Sequence, residues 1–231
     1  MATILITGVT SGIGRALAKE FAHLEHSVIG CGKNKDKVLA LQHELQNASI
    51  STVDVGNADA VAKWADEAYA KYPQIDVIIN NAGTKSALLP LWQVTADDFA
   101  NTINTNLLGV ANVIRSFVPN MVKLGAGTII NMSSEWGRVT DGRVASYCAT
   151  KYAIEGLTGA FSKELPDGMI TIALSPLIVY TELLERCKDL LLPGEYELGV
   201  TPAKWATFVI PKIFALTKAD NGKSLTWSPN A

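Results

Sequence analysis

The chain has 231 residues, 48% hydrophobic and 18% charged, a balance that supports a packed core and excludes intrinsic disorder. Its formal charge of -2 offers no basic field for nucleic acid or an anionic membrane surface.

The pattern opens with a β-branched apolar strand at Thr3–Thr7 and a helix from Ser11 that carries Ile13, Leu17 and Phe21 on one face. The opening apolar run is too short for a signal peptide or a membrane span, so a cytoplasmic location is expected. A second strand over 27–31 leads into a polar helix to Leu45. A third over 50–53 leads into a helix that reaches Tyr72 and stops at Pro73. A fourth strand over 75–79 runs into Asn80-Asn81-Ala82-Gly83. One long helix is predicted over 96–124, ended by Gly125 and Gly127 before a strand over 128–132. A helix over 145–163 and a strand over 169–174 follow. The pattern then loosens until a helix near 203–216 and a short strand over 224–227. Alternating strands and helices, with strands apolar on both faces, predict a doubly wound α/β domain on a parallel sheet. Ligands of such sheets bind at the carboxyl ends of the strands, where every candidate motif below falls.

The turn Thr7-Gly8-Val9-Thr10-Ser11-Gly12-Ile13-Gly14 joins the first strand to the first helix. Bare backbone at Gly8, Gly12 and Gly14 lets the chain approach a pyrophosphate that faces the free N–H groups of the helix start; taken alone, a structural turn reads as well. Its spacing departs from the common dinucleotide fingerprint. The second strand ends in Gly30-Cys31-Gly32-Lys33-Asn34-Lys35, with no carboxylate before Asp36 to bond a ribose hydroxyl. Lys33 either neutralises a 2′-phosphate, which favours NADP(H), or is a solvated lysine at a helix start. Asp54-Val55, after the third strand, can meet an adenine amino group, and a helix cap is the alternative for Asp54.

Tyr147 and Lys151 lie four residues apart on a predicted helix and share a face. A free tyrosine titrates near ~10, and an adjacent ammonium favours the phenolate, so the pair suits proton exchange with a carbonyl or alcohol oxygen. Ser134, ending the fifth strand, can polarise the same oxygen. Asn106, an unusual amide inside the long helix, can bond backbone and hold a water that relays protons to Lys151. Each of the two reads alternatively as a buried, satisfied polar group. Ser133 should point the other way in its strand.

Together these residues resemble the short-chain dehydrogenase/reductase family over nearly the whole chain. The resemblance rests on Thr7-Gly8 with Gly12-Ile13-Gly14, on Asn80-Asn81-Ala82-Gly83, and on Asn106, Ser134, Tyr147 and Lys151 in that order. It implies a single Rossmann-type domain spanning 1–231 on a seven-stranded parallel sheet, and hydride transfer between NADP(H) and a small carbonyl or alcohol. Tyr147 would be the acid/base, Lys151 would bind the nicotinamide ribose and tune Tyr147, and Asn106 would support a proton relay. Asn80, Ala82 and Gly83 would join the cofactor site, with Pro176, Val179 and Thr181 at the nicotinamide end. A homodimer, or a homotetramer, would form through the helices holding Asn106 and Tyr147.

Within the family the chain more closely resembles NADPH-dependent reductases of the pterin aldehyde type, through 133–138, 147–151, 153–158 and 220–226. Trp136 would stack on a flat heterocycle, or serve as a packing tryptophan; Arg138 would bond the heterocycle's carbonyl or a phosphate. Two departures stand out. Leu177 follows Pro176 where the family usually has glycine, and the chain stops soon after Trp227, which favours a dimer. The stretch 182–200, rich in leucine, reads as an apolar lid over the substrate. Segment 85–95 and the loop after Ser134 would also set substrate choice. Cys31, Cys148 and Cys187 read as free thiols of a reducing compartment, and His23, His26 and His43 lack metal-ligand spacing, so no metal is expected. The alternative function is a catalytically idle NADP(H)-binding regulator, whose relatives usually lose the tyrosine or lysine. Nucleotide-sugar epimerase or dehydratase chemistry belongs to longer relatives with a substrate domain.

Overall fold

A computed structural model describes residues 1–230. The strands are β1 (Thr3–Thr7), β2 (Ser27–Gly32), β3 (Ala48–Thr52), β4 (Val77–Asn80), β5 (Gly127–Met132), β6 (Met169–Ser175) and β7 (Ser224–Thr226). They form one seven-stranded sheet in the order β3-β2-β1-β4-β5-β6-β7, with every pairing parallel. The helices are α1 (Gly12–His23), α2 (Lys35–Glu44), α3 (Ala58–Lys71), α4 (Ala96–Ile103), α5 (Gly109–Leu124), α6 (Ala145–Phe161), α7 (Glu182–Glu185) and α8 (Pro202–Phe214).

Strand residues alternate between two apolar layers. Ile4, Ile6, Val28, Ile79 and Ile130 pack with Leu17 and Phe21 of α1 and with Trp205 and Val209 of α8. Leu5, Ile29, Ile78 and Ile129 face the other way, against Val61 and Trp64 of α3 and Val113 and Phe117 of α5. Burial of both faces explains the apolar runs read in the sequence. Strand order reverses between β1 and β4, so the connections after these strands diverge to opposite faces and open a crevice at their carboxyl ends.

Several boundaries differ from expectation. β3 starts two residues before the predicted 50 and β4 two after the predicted 75, at Val77, just beyond Asp76, whose N–H donates to the Thr3 carbonyl at 2.9 Å and whose carbonyl accepts from Thr128 N–H at 2.9 Å. The long helix predicted over 96–124 is interrupted by a π turn at Asn104–Leu108. This widened turn directs Asn106 inward, and Gly109 restarts the regular helix where a Cβ would stand 2.6 Å from Val55 Cγ2. α6 and α8 end two residues sooner than expected. Among the described residues no helix is long and apolar enough to cross a membrane.

Candidate active site

The carboxyl ends of the strands surround a cleft of about 890 Å³. At one end the β1–α1 turn lays bare backbone along the wall. Gly8 has φ +71°, and a Cβ there would lie 2.8 Å from Ala82 Cα, so only glycine fits. The N–H groups of Gly8 and Val9 both donate to the Cys31 carbonyl, at 2.8 and 3.0 Å. Thr7 Oγ1 accepts from the N–H groups of Asn81 and Ala82, and Asn81 Nδ2 donates to the Thr7 carbonyl at 2.8 Å. These bonds brace the glycine turn against the β4 turn. Ser11 flanks α1 without a side-chain cap bond. The N–H groups of the first helical turn lie at the cleft, the arrangement an anion needs.

Gly8, Ser11, Gly12, Ile13, Lys33, Asp54, Val55, Ala82 and Gly83 line the cleft as expected. Gly14 and Asn80 do not. A Cβ on Gly14 would stand 2.3 Å from the Gly8 carbonyl oxygen, so this glycine lets α1 pack onto the turn. The Asn80 side chain is buried inside the sheet, where Nδ2 donates to Asn131 Oδ1 at 2.8 Å, and the cleft begins at Asn81. Asp54 is not a helix cap either. Its carboxylate accepts the Gly56 N–H at 2.9 Å, while Asn57 caps α3 by accepting from Ala60 N–H at 3.0 Å.

Beyond β2 the wall is formed by Thr10, Gly32, Lys33, Asn34 and Lys37. Asn34 caps α2, and its Oδ1 accepts the Lys37 N–H at 2.9 Å. Lys33 and Lys37 are both exposed and make no ion pair among the described residues. Sequence reasoning had not singled out Lys37, although its four-residue offset from Lys33 was a usable signal.

At the opposite end α6 brings Tyr147 and Lys151 to the cleft beside Ser134 and Trp136. Lys151 Nζ donates to the Met132 carbonyl at 2.7 Å and stands 5.4 Å from the centre of the Tyr147 ring. The Trp136 ring meets Tyr147 edge-on at 6.1 Å. Asn106 does not line the cleft. Its Oδ1 accepts the Thr84 N–H at 2.8 Å, and its Nδ2 donates to the Thr84 carbonyl at 2.8 Å and to Thr150 Oγ1 at 3.1 Å. The residue therefore ties the loop after β4 to the helix that bears Tyr147 and Lys151. Ser86 and Ser146 hydroxyls, 2.5 Å apart, add a second tie.

Burial corrects one electrostatic expectation. The phenol of Tyr147 is pushed up, not down, because desolvation of the phenolate outweighs the opposing bond from Ser134. Lys151 is pushed down to about 8 by its own burial, with Glu155 acting in the other direction. The phenol is accordingly neutral around pH 7, in the state that can give a proton.

The far wall is Pro176, Leu177, Val179 and Thr181, then the leucines of 182–200. Leu177 holds φ +54°, a left-handed conformation that glycine adopts without cost. Thr181 Oγ1 caps α7, accepting from Leu184 N–H at 3.2 Å. The loop's two ends are pinched by a bridge between Val179 and Val200, with Tyr180 N–H donating to the Val200 carbonyl at 2.9 Å. Leu183, Leu184, Cys187, Leu190, Leu191 and Leu192 line the cleft from within this loop. Arg138 turns away from it. Its guanidinium donates to Glu155, to Thr226 Oγ1 and to the Leu225 carbonyl, and it does not line the cleft.

Residues 2–189 match the model of the short chain dehydrogenase family. The chain belongs to this family. It is 44% identical over 227 residues to an NADPH-dependent pterin aldehyde reductase of Arabidopsis thaliana, covering 97% of this chain and 92% of that protein. It is 32% identical over 192 residues to a 3-oxoacyl-acyl-carrier-protein reductase of Staphylococcus aureus, covering 80% and 77% of the two. Among solved structures, ElxO with NADP bound superposes with a TM-score of 0.87 at 26% identity, covering 98% of this chain and 97% of that one. Leu177, with its left-handed φ of +54°, lines the cleft wall.

Proposed function

We propose that this protein reduces a flat aldehyde of the pterin class, with Tyr147 delivering the proton and Lys151 and Ser134 assisting. The protein is an oxidoreductase that transfers a hydride between NADP(H) and a small carbonyl or alcohol substrate. What carries the reading is one cleft that joins a bare-backbone cradle and two lysines at one end to Ser134, Tyr147 and Lys151 at the other.

The cradle fits a dinucleotide: Gly8 at φ +71° and Gly12 at φ +52° hold left-handed backbone along the cleft wall, next to the start of α1. In this reading Gly8, Ser11, Gly12 and Ile13 meet the pyrophosphate, and Lys33 with Lys37 neutralises a 2′-phosphate. Asp54 and Val55 flank the adenine, with Ala82 and Gly83 beside the ribose. Lys151 holds the nicotinamide ribose, and Pro176, Val179 and Thr181 border the carboxamide. When bound, NADPH supplies the hydride. The neutral phenol of Tyr147 gives its proton to the carbonyl oxygen, Ser134 donates a hydrogen bond to that oxygen, and the Lys151 cation stabilises the phenolate left behind. Asn106 positions the loop and α6 around them. An idle binder would have no use for this pair on one helical face.

The pterin assignment is supported by the Arabidopsis relative, by the Trp136 ring beside Tyr147, and by the leucine wall opposite, which together suit a planar heterocycle. Residues 1–231 act as one domain, with 182–200 as a lid over the substrate. Exposed Leu108 and Tyr152, at the start of α5 and on α6, support a homodimer through these helices. The three cysteines are free and buried, which suits a cytoplasmic location. The test is NADPH oxidation followed with formylpterin and a panel of other aldehydes and ketones, with NADH in parallel. Fastest turnover on formylpterin with NADPH is expected. Equal rates across the panel would overturn the pterin assignment, and preference for NADH would overturn the role of the lysines.

A further inference from the structure

Glu155 lies one helical turn beyond Lys151, so Tyr147, Lys151 and Glu155 fall on one face of α6 at four-residue spacing. Its side chain is 13% exposed, and both carboxylate oxygens are engaged. Oε1 accepts from Ser133 Oγ at 2.5 Å and from Arg138 Nε at 3.2 Å, while Oε2 accepts from Ser224 Oγ. The partners come from the segment just after β5, from the turn beyond it and from β7. Arg138 extends the clamp by donating to Thr226 Oγ1 at 2.5 Å and to the Leu225 carbonyl at 3.0 Å. Lys151 grips the same segment one residue earlier, at the Met132 carbonyl. Helix α6 thus holds Met132 and Ser133 at two points, immediately before Ser134. Gly137 closes the contact, since a Cβ there would lie 2.8 Å from Ser133 Oγ and 2.9 Å from the Lys151 carbonyl oxygen.

A nearly buried ion pair is a poor way to gain stability, because desolvation offsets most of the attraction and an apolar pair packs as well. Its place beside Lys151 gives it another use. We propose that Glu155 is a positioning residue of this oxidoreductase: it locks the strand end bearing Ser134 to α6, and its negative charge keeps Lys151 cationic, with Arg138 setting how much of that charge Lys151 feels. The proposal rests on the role given to Lys151 above. The groups concerned are Tyr147 on the cleft side of Lys151, Glu155 on the other, Arg138 beyond Glu155, and Cys187 facing Tyr147 from the lid loop. Asn106 and Thr150, which pack on the same helix, carry no charge. Burial pulls the Lys151 pKa down and Glu155 opposes it, so loss of Glu155 lowers that pKa. Loss of Arg138, paired with Glu155 at 3.2 Å, leaves the carboxylate unneutralised and should act in the opposite sense.

Two variants of the full-length enzyme separate charge from packing. Glu155→Gln can still accept from Ser133 and Arg138 and donate to Ser224, but it carries no charge. The alkaline limb of kcat for carbonyl reduction should move about one pH unit lower, with KM little changed. Arg138→Met should move the same limb higher. Competitive acetylation of Lys151 with acetic anhydride, read by mass spectrometry across pH, gives the lysine's titration without any turnover. Shifts of opposite sign in the two variants support the proposal, even in an enzyme that reduces no carbonyl offered, in which case the reductase reading fails and this one stands. Superimposable Lys151 titrations in wild type and both variants, or shifts of the same sign, overturn it.

Discussion

The two ends of the cleft are built by different means. At the dinucleotide end the wall is mainly backbone: the Gly8 turn, bonded to the Cys31 carbonyl and braced by Thr7 and Asn81, leaves little that can move without breaking a buried contact. At the substrate end the wall is side chains on a loop with only the four-residue α7 and short 3₁₀ turns, pinched at its base by the Val179–Val200 bridge. Leu192 within it is 69% exposed. Backbone walls admit one shape of ligand and tolerate few substitutions. Side-chain walls can change their lining without disturbing the sheet, so this end is where members of one fold can differ in substrate.

The sharpest break between the two ends should come from Tyr147→Phe, which removes the proton donor and leaves the cradle untouched. A fall in kcat of about 10³-fold is expected with NADPH affinity within about twofold of wild type, read by nicotinamide absorbance and fluorescence titration. The converse experiment is Gly14→Ala, which places a Cβ 2.3 Å from the Gly8 carbonyl oxygen. It should cost about 1–3 kcal/mol in chemical denaturation and weaken NADPH, because α1 must back away from the turn. A smaller effect is expected from Lys33→Ala and Lys37→Ala. Each should weaken NADPH roughly tenfold and leave NADH nearly unchanged in paired titrations; equal losses for both cofactors would remove the phosphate contact. Leu177→Gly should act least. It relieves a left-handed φ of +54° at a cost of about 1 kcal/mol in chain entropy, so stability by chemical denaturation should change by no more than about 1 kcal/mol. A larger loss of stability would show that the Leu177 side chain packs against the cleft wall instead of sitting under strain.

The same contrast explains what was legible in the sequence. Apolar runs marked the inner strands because both faces of the sheet are buried there, whereas edge strand β7 leaves Ser224 and Thr226 exposed; four-residue spacing marked Tyr147 and Lys151 because a helix converts it into a shared face. Direction was harder to read. Asn80 and Gly14 sit in the right motifs but face the sheet and the Gly8 turn, and Arg138 sits in the right loop but binds Glu155. For Asn80 and Arg138 the outcome depends on partners 17 to 88 residues away in the chain, with no local periodicity to announce them. The π turn at Asn104–Leu108 was invisible because helix periodicity continues on either side. The rise of the Tyr147 pKa likewise comes from tertiary burial, which outweighs the neighbour that sequence spacing suggested.

The most direct test of the account is to run the reduction of formylpterin with NADPH deuterated at the transferring position of the nicotinamide and to examine the alcohol by mass spectrometry. One deuterium bound to the carbinol carbon, formed by wild type and absent with Tyr147→Phe, is the expected result. Alcohol formed without deuterium, or formed equally well by Tyr147→Phe, would contradict it.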